Sequence, residues 1–129
     1  MIRFLITLCI GLTTLIGQAQ TDSTVSIPLS TLEGTWYINQ SNFPMWISGK
    51  RLNPTLQYST FAKDNDTLIW DEVHFIKKTK KKSIVGVDKV LDEEGMKFRW
   101  RGTGLKSVLT SDWEIIYYNE DQEWMIIYF

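Results

Sequence analysis

The stretch Asp112-Trp113-Glu114-Ile115-Ile116-Tyr117-Tyr118-Asn119-Glu120-Asp121-Gln122-Glu123-Trp124-Met125-Ile126-Ile127-Tyr128-Phe129 decides the reading of this chain. Two runs dense in β-branched and aromatic residues flank the acidic turn Asn119-Glu120-Asp121, which is the pattern of paired strands rather than of a helix. Trp113, Ile115 and Tyr117 share one face at period two, as do Trp124, Ile126 and Tyr128. Ile116 and Tyr118 make the opposite face partly apolar as well, so the pattern leaves open which face points inward.

Upstream, Lys97-Phe98-Arg99-Trp100-Arg101 alternates aromatics with cations, giving a strand with one dry and one wet face. The runs Ser83–Leu91, Thr67–Ile76, Thr55–Ala62 and Thr35–Gln40 bring the total to seven, separated by turn residues such as Asp64-Asn65-Asp66 and Asp92-Glu93-Glu94-Gly95. No segment carries sustained helical periodicity, so the expectation is an all-β barrel or sandwich. Ser30-Thr31-Leu32-Glu33 has the S-x-x-E form of a capping box and predicts one short helical turn before Gly34.

The chain of 129 residues allows one domain. Hydrophobic residues make up 43% of it and 16 of its 17 aromatics lie beyond residue 20, which excludes a disordered chain. Lys+Arg 14 against Asp+Glu 15 leaves no global positive field, so no nucleic-acid partner is expected. Arg3, the apolar stretch Phe4–Ile16 and Gly17-Gln18-Ala19 have the three parts of a secretory signal, with a cut after Ala19. Thirteen such residues would span about 20 Å as a helix, short of a ~30 Å hydrocarbon core. The expected organisation is a signal peptide at 1–19, a flexible leader at 20–31 and a β-domain at 32–129, exported to the periplasm or secreted. The sole cysteine, Cys9, leaves with the signal, so no disulfide or thiolate chemistry is expected.

Leu32-Glu33-Gly34-Thr35-Trp36-Tyr37 resembles the G-x-W signature that opens the first strand of the lipocalins, carried here by Gly34 and Trp36. The Asp112–Asp121 and Trp124–Ile127 block is similar to the strand F–turn–strand G block of that family. Ser41-Asn42-Phe43-Pro44-Met45-Trp46 and Trp100-Arg101-Gly102-Thr103-Gly104-Leu105 resemble segments of short bacterial and fungal lipocalin-like proteins. The resemblance covers residues 32–129. It implies an antiparallel up-and-down barrel enclosing one small ligand, with Trp36 plugging the closed end. The family has an eighth strand and an Arg that stacks on the first-strand Trp. Here seven strands are read, so the expected barrel is incomplete: the eighth strand and the partner Arg are missing, and an open edge invites self-association.

The resemblance implies binding of a small hydrophobic ligand, a fatty acid or related lipid, by burial and without catalysis. Tyr58, Trp70, Phe98, Trp100, Trp113 and Tyr117 are the candidate lining, with Met45 and Trp46 at the mouth. Two other readings stay open: a small interaction domain whose aromatics fill its own core, and an enzyme using Glu72 and His74, two residues apart on one strand face. Neither a cofactor nor a metal is expected from one histidine and scattered carboxylates. Lys77, Lys78, Lys80, Lys81 and Lys82 form a hairpin tip that is either simply solvated or a weak contact for an anionic membrane surface.

Overall fold

The computed structural model describes residues 3–7 and 26–129. Eight strands close into one barrel: β1 (Phe4–Thr7), β2 (Gly34–Ser41), β3 (Leu52–Lys63), β4 (Asp66–Lys77), β5 (Lys80–Val90), β6 (Lys97–Gly102), β7 (Thr110–Asn119) and β8 (Trp124–Tyr128). All seven runs read from the sequence are strands, and β2 to β8 pair antiparallel in chain order. The turns between the long strands follow from local chemistry. Asp64 and Asn65 both take positive φ (50° and 66°), the two-residue turn that matches strand twist and that Asx residues tolerate.

The expectation of a missing eighth strand is corrected. Phe4–Thr7 lies between β2 and β8 and pairs parallel with both, so the barrel is neither open nor antiparallel throughout. Seven strands would leave two rows of unpaired backbone groups, and a short β-branched apolar segment fills them. Leu5 of β1 is fully buried. The missing cation is found in the same segment: the Arg3 guanidinium lies 5.3 Å from the Trp36 ring centroid. Arg3 also donates to the Glu33 carbonyl and pairs with Glu123 at 3.4 Å. The expected cut after Ala19 falls outside the described residues.

The leader is not free along its described part. From residue 26 onward it packs against one end of the barrel: Ile27 is buried and donates its N–H to the Glu94 carbonyl at 2.8 Å. A 3₁₀ turn at Leu29–Leu32 follows, without a side-chain cap. The expected capping box does not form, because the Glu33 carboxylate turns instead to the Thr60 N–H (3.1 Å) and hydroxyl. Leu32 and Trp36 seal this end, with the Trp36 indole N–H donating to the Leu32 carbonyl at 2.7 Å and both side chains fully buried.

Strand polarity sorts the connections. The β2–β3, β4–β5 and β6–β7 connections all lie at the opposite end, where the barrel opens. The first of them carries the short helix α1 (Pro44–Ile47), started by a proline at its first turn.

Candidate functional site

A cavity of about 230 Å³ runs from the open end to mid-barrel, with walls that are apolar apart from Asp71 and Ser111. Strand alternation builds it. On β3, Leu56 and Tyr58 face inward; on β4, Asp71 and Val73; on β6 and β7, Trp100 and Trp113; Ile127 of β8 and Leu5 of β1 complete the wall. Phe43, Met45 and Trp46 lie over the mouth beside Phe129. Phe43 stacks on Phe129 at 5.6 Å, and Trp46 meets the edge of Phe75 at 5.9 Å, so the lid is held by aromatic contacts.

Of the expected lining residues, Met45, Trp46, Tyr58, Trp100 and Trp113 are brought together around this cavity. Phe98 is fully buried behind it, stacked on Trp113 at 4.2 Å, and supports the wall rather than lining it. Trp70 and Tyr117 lie elsewhere. Trp70 is 37% exposed and donates its indole N–H to Glu72 at 2.7 Å on the outer face, because Ile69, Asp71 and Phe75 hold the inward phase of β4. Tyr117 is 47% exposed and stacks on Trp124 at 4.8 Å. A bulge between Ile115 and Tyr117 slips the ladder by one residue, which turns Tyr117 out and lets Tyr118 pack against the core.

Glu72 and His74 do meet, at 3.1 Å, but outside the barrel and half exposed. The lysine tip is exposed at the open end. Among the described residues no group of three metal-ligating side chains comes together.

Three features of the site escaped sequence reading. Gly86 is one: a Cβ there would lie 2.0 Å from the Trp100 indole nitrogen, so only glycine lets Trp100 lie flat against β5. The others are Asp71 and Asp88, 6% and 0% exposed. Asp88 accepts the Trp113 indole N–H at 2.9 Å. Asp71 is the cross-strand neighbour of Tyr58 and forms a carboxyl pair with Asp88. Burial, and then the charge of Asp88, pushes the Asp71 carboxyl well above the usual carboxylate range. Burial pushes Asp88 up to about 7 against the opposing effect of the Trp113 hydrogen bond. The Tyr58 phenol is pushed up by burial and by these two neighbours. Asp71 shares its strand face with Ile69 and Val73, and an acid in apolar phase is the signal that could have found it.

The site is thus an aromatic-walled cavity with one acidic patch at its base and a hydrophobic lid at its mouth. Compared with family models, curated proteins and solved structures, the chain matches none of them.

Proposed function

We propose that the protein is a lipocalin-like carrier that buries one small apolar ligand in the barrel, without catalysis. The observation that carries this reading is the cavity itself. Interiors that serve only stability close to native density and leave few voids larger than a water. Here about 230 Å³ stays open behind a lid, lined almost wholly by apolar and aromatic side chains. This favours a carrier over a domain whose aromatics fill its own core. An engineered apolar cavity of roughly 150 Å³ holds benzene, so this one suits a compact ligand or the leading part of an acyl chain.

The surroundings of the mouth support loading at a lipid surface. Ile47, Leu52, Leu105, Val108 and Leu109 are exposed there, beside the lysines of the β4–β5 tip. Apolar residues rimmed by cations suit an anionic bilayer. Sedimentation with vesicles of anionic phospholipid, but not with zwitterionic ones, is the expected result. Equal behaviour in both would remove this part of the reading.

The test of the carrier function is direct. Purified protein extracted with organic solvent should release a small apolar compound seen by mass spectrometry. Titration with short acyl or aryl ligands should change tryptophan fluorescence saturably, since Trp46, Trp100 and Trp113 line the cavity. A protein that carries nothing and responds to no ligand would overturn the proposal.

A further inference from the structure

The base of the cavity has a chemistry that an apolar ligand alone does not use. Asp71 lines the cavity, is 94% buried by its 6% exposure, and its Oδ1 accepts no hydrogen bond. Behind it Asp88 is fully buried, with Oδ1 on the Trp113 indole and its carboxyl paired with that of Asp71, and no other donor reaches its Oδ2. The groups that act on Asp71 are Asp88 and Glu72, both acids, and the group that acts on Asp88 besides Asp71 is Trp113. Among the described residues, then, no ammonium or guanidinium answers this pair. Buried acceptors without donors are costly, and buried charge more so. Burial holds both carboxyls toward their neutral forms, so a bound cation draws a proton off the pair into solvent and leaves one negative charge at the inner end of an aromatic-walled cavity.

From this geometry we propose that the cavity takes a small lipophilic primary amine, with its ammonium on Asp71 and its body among the aromatic walls. This rests on the carrier reading and names the ligand class for the same cavity. An ammonium brings three N–H donors and one positive charge, which matches an unpartnered oxygen backed by a second carboxyl. A carboxylate ligand brings no donor and adds a third acid, so a fatty-acid head cannot occupy this end. Size follows from volume. Since six heavy atoms of benzene occupy a cavity of roughly 150 Å³, about 230 Å³ accommodates about nine. An aryl ring on a two-carbon amine arm has that size. Tyr58, the cross-strand neighbour of Asp71, and Trp113, which bonds Asp88, line the cavity beside the acids, while Phe43, Trp46 and Phe129 receive the ring at the mouth.

The experiment is calorimetric titration of the full chain at neutral pH with three phenyl-bearing probes of similar size: 2-phenylethylamine, 2-phenylethanol and phenylacetate. The amine should bind at least tenfold tighter than the alcohol, and the acid weakest of the three. Asp71→Asn should lower amine affinity to that of the alcohol while leaving alcohol affinity unchanged, which also shows that the variant is folded. Asp112→Asn, which removes an exposed carboxylate paired with Arg99, should change neither. If Asp71→Asn does not fold, the ranking of the three probes on the unaltered protein decides alone. Binding of the alcohol or acid as tightly as the amine overturns the amine assignment and leaves the carrier reading standing. No binding of any probe overturns both.

Discussion

Asp88→Asn is expected to flatten the pH dependence of stability. Asp88 is raised in the folded protein from the usual 3.8 to about 7, by burial. An acid whose folded pKa is raised binds more protons in the native than in the unfolded state, so stability falls as pH rises between those two values. At about 1.36 kcal/mol for each pH unit, the span from 3.8 to about 7 corresponds to about 4 kcal/mol lost on going from acid to neutral solution. Asp71, raised by burial and by Asp88, acts in the same direction. Against a domain stability of about 5–15 kcal/mol this is a large effect. Glu33 and Asp112 are lowered by their hydrogen bonds to Thr60 and Arg99, so their contributions fade only toward and below pH 4. Stability should therefore peak on the acid side, near pH 4–5, and decline toward pH 8. Asparagine keeps the geometry, because its oxygen accepts the Trp113 indole N–H and its amide donates to Asp71. The assay is urea unfolding followed by tryptophan fluorescence at half-unit steps from pH 4.5 to 8. The variant should show a much flatter profile and should exceed the parent at pH 8. Parallel profiles, or a variant weaker than the parent at every pH, would refute the reasoning.

Other expectations follow from single contacts. Gly86→Ala places a Cβ on the Trp100 indole and should destabilise by about 1–3 kcal/mol while weakening ligand binding, read by denaturation and titration together. Leu5→Ala should cost about 2–5 kcal/mol if β1 closes the barrel, and no measurable change would show that it does not. Residues 20–129 alone lack β1 and leave one edge each of β2 and β8 unpaired, so this fragment should self-associate in light scattering more than the full chain does. Trp113→Phe keeps the stack on Phe98 but leaves Asp88 Oδ1 without its donor, and should cost about 1–3 kcal/mol.

Strand positions were legible because alternation and turn chemistry agree in this chain. Phe98 and Trp100 against Lys97, Arg99 and Arg101 could be assigned to faces without a structure, and the faces are as expected. Trp70 could not, since an aromatic does not by itself mark the interior and the phase of its strand is set by Ile69, Asp71 and Phe75. Tyr117 was misplaced by a bulge, a one-residue insertion that no alternation pattern announces. Phe4–Thr7 was hidden for another reason: a short apolar run reads equally as signal core or as buried strand, and nothing within the run announces its place between β2 and β8. The acidic patch was missed because Asp71 and Asp88 come together only through the β4–β5 ladder, and an acid in the apolar phase of one strand does not announce a partner on the next.

The central claim is that the barrel interior is a ligand site, and a crystal structure of the protein saturated with 2-phenylethylamine tests it most directly. The account predicts one ligand between Asp71 and the Phe43–Trp46 lid, in contact with Trp100 and Trp113. A ligand found only on the outer surface, or an interior closed by the protein's own side chains, would contradict it.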